Sequence, residues 1–261
     1  MTTDADRPVR PALWALIGVG AFTGLVSGMF GVGGGVVVVP ALVALGIAQK
    51  RASATSLVAL LPISAAGATT YAISGQVDVV AALLLAVGSV VGSPIGVRIL
   101  HRLPQRVLPW NFVGFVALVV VGLLLVPPSR EGVVVITWGS AAALIGIGLL
   151  AGILSGLVGV GGGVVAVPGL ELLVGAGDLV ARGTSLFMLI PTTIVGILSH
   201  RRHLQVDLRS GLVIGLAAVL VAPLGAFLAR LVDPFVGSVL FAVFLVGVCV
   251  VVVVRQRPKQ G

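Results

Sequence analysis

Polar residues cut the chain into eight apolar stretches, at 12–46, 52–73, 79–100, 107–126, 132–175, 183–199, 208–229 and 234–254. Six of them hold about 17–22 residues, enough for one helix to cross a hydrocarbon layer about 30 Å thick. None shows the roughly ten-residue alternation of a membrane-spanning β-strand. Valine runs such as 36–39 and 250–254 therefore read as helix.

The stretches 12–46 and 132–175 are too long for one crossing, and glycine interrupts both at the same place. Residues 24–40 read GLVSGMFGVGGGVVVVP and residues 152–168 read GILSGLVGVGGGVVAVP, identical at 12 of 17 positions with an offset of 128. The match continues at an offset of 129. Thr55-Ser56-Leu57 pairs with Thr184-Ser185-Leu186, Pro62 with Pro191, and Gly67 with Gly196. Gln76-Val77-Asp78 pairs with Gln205-Val206-Asp207, and Pro94 and Gly96 with Pro223 and Gly225. The chain thus reads as two homologous halves, 12–126 and 132–254, joined by a linker at 127–131.

Composition fixes the class. Of 261 residues, 58% are apolar and 9% charged, against about 25% charged in a soluble domain. Mean hydropathy is +1.23. A water-soluble surface cannot be assembled from so few charges, which excludes a soluble enzyme and a disordered chain. The net charge of +8 suggests nucleic acid only until the basic residues are located. They sit in short clusters between apolar runs, as topology determinants do, and no nucleic-acid partner is expected. Cys249 is the single cysteine, so no intrachain disulfide or cysteine metal site forms. His101, His200 and His203 lack zinc-site spacing, and no cofactor or metal is expected. The first apolar segment follows Asp4, Asp6, Arg7 and Arg10 without a small-residue cleavage pattern, and is read as retained.

Charge also orients the halves. If each glycine-broken stretch is a hairpin that returns to its own side and the N-terminus is cytoplasmic, 13 Lys and Arg fall inside. Only Arg130, Arg182 and Arg230 fall outside. If both stretches instead crossed once, the split would be 9 to 7. The positive-inside rule favours two hairpins. Each half then has a re-entrant hairpin plus three transmembrane helices, and three crossings invert the second half relative to the first. The predicted fold is an all-α polytopic membrane protein of two inverted repeats, with both termini cytoplasmic. Broken helices in inverted repeats are typical of secondary transporters, whose site lies at the midplane between repeats.

The GVGGG segments carry the candidate chemistry. Glycine costs a helix about 1 kcal/mol relative to alanine, and irregular backbone cannot face lipid. A helix restarting after Gly35 or Gly163 presents unpaired N–H groups and the positive end of its dipole. Gly31, Gly33, Gly34 and Gly35, with Gly159, Gly161, Gly162 and Gly163, would let an anion approach those groups closely. Close helix packing by small residues is the other reading. A phosphate-binding loop is excluded, because Val36 and Val164 stand where lysine is required; they also replace the third glycine of a dinucleotide fingerprint. Thr55, Ser56, Thr184 and Ser185 fall at the starts of apolar helices, where their hydroxyls donate to an anion or cap the helix. Ser27 and Ser155, just before the breaks, have the same two roles open to them.

The acidic residues are few. Asp78 and Asp207, with Gln76 and Gln205, fall between spans, where helix capping competes with gating or ion coupling. Glu171 is the acid deepest in an apolar stretch, and its repeat counterpart is Val43. It is a candidate for proton coupling, or it snorkels to water from the end of its half-helix. No paired acids, catalytic triad or metal cluster suggests an enzyme.

Together the two GVGGG segments, the Ala-Thr-Ser and Gly-Thr-Ser elements, the prolines and the Gln-Val-Asp loops resemble the sulfite exporter TauE/SafE family, over about 12–252. The resemblance implies export of sulfite, sulfoacetate or a related organosulfur anion across a bacterial cytoplasmic membrane. Partners would be that anion and the lipid bilayer, with a homodimer left open. Two other roles stay open: an anion channel, and a non-transport membrane partner of sulfur-metabolism enzymes.

Overall fold

The computed structural model describes residues 11–103, 113–114, 116–117, 120–121, 129–130, 132–201 and 206–255, the side chains of 201 and 251–255 apart. Nine helices are bounded within it. In the first half they are α1 (Leu13–Phe30), α2 (Gly35–Ala44), α3 (Gln49–Ile73) and α4 (Val79–Arg102). In the second they are α5 (Trp138–Val158), α6 (Gly163–Val174), α7 (Asp178–Arg201), α8 (Leu208–Leu231) and α9 (Pro234–Arg255). The stretch expected at 107–126 contributes helical residues at 113–114, 116–117 and 120–121, and the rest of it lies outside the described residues. Among the described residues no strand is present.

Six helices (α1, α3, α4, α5, α7 and α8) are long and apolar enough to cross a membrane, so this is a multi-pass membrane protein. Lipid-facing stripes follow the helical period. Leu83, Val87, Val91 and Ile95 of α4, and Leu212, Leu216, Leu220 and Leu224 of α8, are exposed every fourth residue.

The long stretches are broken helices that turn back on themselves. Gly162, at the start of α6, sits against Ala151 of α5, and Gly169, later in α6, sits against Ile147, earlier in α5. The two helices therefore run antiparallel. In the first half Gly34 sits against Thr23 and Ser27, while Leu16 shares a core with Val38, Val39 and Leu42. The limbs are unequal: α1 and α5 have 18 and 21 residues, α2 and α6 have 10 and 12.

Between the halves, contacts come in pairs. Gly20, Gly24 and Gly28 of α1 lie on the backbone of Ile214, Ala218 and Ala222 of α8. Gly148, Gly152 and Gly156 of α5 lie likewise on Leu85, Ser89 and Ser93 of α4. A side chain at any of these glycines would collide with a facing carbonyl, so small residues allow the backbones to meet, as in membrane helix pairs generally. Both pairs run parallel. The central pair, α3 and α7, runs antiparallel: Gly67 meets Leu186, and Gly196 meets Leu57. Each of these contacts recurs at the positions the sequence repeat equates.

Candidate functional site

The two glycine breaks meet at the middle of α3 and α7. Gly33 and Gly161 both pack on Leu60 and Leu189, the midpoints of those helices. Gly35 lies on the backbone of Val160, and Gly163 on that of Val32. Each break begins with a left-handed glycine that ends the first limb, Gly31 at φ +71° and Gly159 at φ +73°. Their amides bond back to Ser27 and Ser155, both at 2.8 Å.

All ten residues from Val32 to Val36 and from Val160 to Val164 are buried. Their backbone N–H groups have no acceptor among the described residues, although the great majority of buried N–H groups in proteins are paired. In α2 the first bonded amides are Val37 and Val38, to Gly34, and in α6 they are Val165 and Ala166, to Gly162. Two half-helix starts thus bring unpaired donors together in one central region. The side-chain oxygens of Ser27 and Ser155 are buried there without a hydrogen-bond partner, as is that of Thr23.

The Thr-Ser pairs do not lie at helix starts as expected. α3 begins at Gln49 and α7 at Asp178, which places Thr55 and Thr184 in the second turn. The charged first turns, Gln49-Lys50-Arg51 and Asp178 to Arg182, are helical but not apolar, so a hydrophobic run begins too late to include them. The hydroxyls latch one half to the other. Ser56 Oγ donates to the Gly159 carbonyl at 2.5 Å, and Ser185 Oγ to the Gly31 carbonyl at 2.5 Å. Thr55 Oγ1 accepts from the Asp207 amide at 3.2 Å, and Thr184 Oγ1 from the Asp78 amide at 3.0 Å.

Asp78 and Asp207 cap helices. Asp78 accepts from the Ala81 amide at 2.9 Å, and Asp207 from the Ser210 amide at 3.1 Å and hydroxyl at 2.7 Å. Burial alone raises the Asp207 carboxyl. The Ser210 hydrogen bonds and the Arg51 charge outweigh it and hold the group below the usual carboxylate value. The Gln76 backbone N–H donates to the Tyr71 carbonyl at 2.9 Å, and the Gln76 side-chain oxygen is buried without a partner. Gln205 lies outside the described residues. Glu171 is half-buried on α6, within electrostatic reach of Asp178 and Arg182.

Asp178 and Arg182 were not candidates from sequence, where Arg182 counted only as an outside charge. Both are buried, and they pair at 3.2 Å. Arg182 Nη1 donates to the Met29 carbonyl at 2.8 Å, beside the first break. The available signal was their spacing of four, which puts opposite charges on one helix face.

A family model described as Sulfite exporter TauE/SafE matches residues 2–123 and 144–261. The chain is 30% identical over 127 residues to the probable membrane transporter protein YunE of Bacillus subtilis, covering 46% of each chain. It is 29% identical over 109 residues to the probable membrane transporter protein MJ0441 of Methanocaldococcus jannaschii, covering 40% of this chain and 41% of that one. These matches span less than half the length of either relative. No solved structure matches the chain.

Proposed function

The chain belongs to the sulfite exporter TauE/SafE family, and from that premise we propose that it exports a small sulfur oxyanion, sulfite or a sulfonate, by alternating access. The observation that carries this reading is the convergence of two half-helix starts with unpaired buried N–H groups. Such ends attract anions through both hydrogen bonding and the helix dipole. The anion is held by the amides following Gly33, Gly34 and Gly35 and those following Gly161, Gly162 and Gly163. The unpartnered hydroxyls of Ser27 and Ser155 supply further donors.

The halves, 12–126 and 132–254, act as inverted repeats in a cytoplasmic membrane, with both termini inside. The antiparallel crossing of α3 and α7 supports the inversion, and the positive-inside count supports the orientation. Rocking one half against the other works the latches that join Thr55 and Asp207, and Thr184 and Asp78. Glu171 couples transport to protons: Glu171→Gln should leave sulfite flux down its own gradient and abolish drive by a pH gradient.

Ser27→Ala and Ser155→Ala test the site. Removing an unpaired buried hydroxyl should not destabilise the fold, so any loss of transport is a loss of binding. The double variant should melt as the unaltered protein does and show at least a tenfold higher half-saturating sulfite concentration. An unchanged saturation curve would place the anion elsewhere.

A further inference from the structure

We propose that Arg182 binds the transported anion directly, with Asp178 occupying its guanidinium until the anion takes the carboxylate's place. This deepens the transporter reading and rests on it. The repeat itself provides the internal control. Arg182 corresponds to Ser53, and Asp178 to Gln49, at the offset of 129. Ser53 does for the second break what Arg182 does for the first. Its hydroxyl donates to the Val158 carbonyl at 2.8 Å, at the end of α5. Arg182 donates to the Met29 carbonyl at 2.8 Å, at the end of α1. Gly159 packs on the backbone of Ser53, and Gly31 on that of Arg182.

A neutral hydroxyl therefore suffices to hold the end of the limb. A buried ion pair is a costly way to do the same work, because two charges must leave water. The charge is explained if a ligand uses it. Arg182 is 5% exposed and Asp178 fully buried, and the pair stands beside the left-handed turn that opens the first break. A guanidinium offers a planar fork suited to an oxyanion, and here Nη2 faces Asp178 Oδ2 at 3.2 Å. Both carboxylate oxygens of Asp178 lack a hydrogen-bond partner. The carboxylate therefore meets the arginine as a close ion pair, and an oxyanion taking its place gains hydrogen bonds that Asp178 does not make. Glu171 and the Tyr71 hydroxyl also lie within reach of Arg182. Their counterparts are Val43 and His200, so the repeat does not carry a carboxylate at the place of Glu171.

The test is the double variant Asp178→Gln with Arg182→Ser, which gives the second half the pair the first half already carries. Labelled-sulfite uptake into proteoliposomes should fall at least tenfold at low sulfite, with insertion and melting unchanged. Asp178→Asn alone should lower both the half-saturating concentration and the maximal rate, because the competitor is gone and release is slowed. A role in packing alone would leave that split unmoved. Flux in the double variant equal to that of the unaltered protein, or an unchanged half-saturating concentration in Asp178→Asn, overturns the assignment and leaves the transporter reading standing. Absence of flux of sulfite, sulfate, thiosulfate, sulfoacetate and taurine alike in the unaltered protein overturns both.

Discussion

The two glycine breaks differ where the repeat would make them alike. Both end a long limb with a left-handed glycine, and both give a carbonyl to a serine of the other half. Beyond that they diverge. The first break is flanked by the buried Asp178–Arg182 pair, the second by Ser53. Gly34 sits at φ +82°, while its counterpart Gly162 sits at φ −72°. Duplication supplies a symmetric frame of parallel small-residue contacts. Divergence within that frame places a buried ion pair and one more left-handed glycine at the first break.

The sharpest way to break the comparison is to unpair the charge. Arg182→Ala leaves Asp178 buried alone, and such a loss costs about 3–5 kcal/mol. Ser53→Ala removes one hydrogen bond and should cost about 1 kcal/mol. Melting curves in detergent should separate the two variants clearly, and equal shifts would show that the ion pair contributes no more than the serine. The latches probe what the breaks share. Ser56→Ala and Ser185→Ala each leave a buried carbonyl without its donor, at about 1–3 kcal/mol. The two losses should be alike, and a large difference would break the equivalence of the halves.

Gly34→Ala and Gly162→Ala sharpen the backbone difference. Both meet neighbours, Thr23 in one case and Ala151 in the other. Only the first also forces a side chain into the left-handed region, which adds about 1–2 kcal/mol. Gly34→Ala should therefore melt lower than Gly162→Ala, and the reverse order would remove the asymmetry. The smallest effects belong to the caps. Asp78→Ala and Asp207→Ala should each cost about 1 kcal/mol. The Asp207 carboxyl is held below its unfolded value, so its contribution is complete above about pH 4 and is lost as pH falls through the lower folded value. Acid titration of melting should show a step in the unaltered protein that Asp207→Ala lacks.

Much of the frame was legible in the sequence. Apolar runs located α3, α4, α7, α8 and α9 to within a few residues, and the duplicated GVGGG located both breaks. Hydropathy fails where a helix carries charge inside its boundary, so it omits the first turns of α3 and α7 and sets Thr55 and Thr184 at helix starts. The partners of Ser56 and Ser185 lie in the opposite half, more than 100 residues away, and no local pattern announces them. Arg182 illustrates the general difficulty. A sequence records that a charge exists near a span end, but whether it faces water or the core depends on which face of the helix packs inward.

Labelled-sulfite flux into proteoliposomes of the pure protein, with sulfate, thiosulfate, sulfoacetate and taurine as competitors, bears most directly on whether the paired breaks form an anion pathway. Saturable sulfite uptake, inhibited by at least one sulfur oxyanion, is the expected result. No flux of any of these anions, in vesicles shown to hold folded protein, would contradict it.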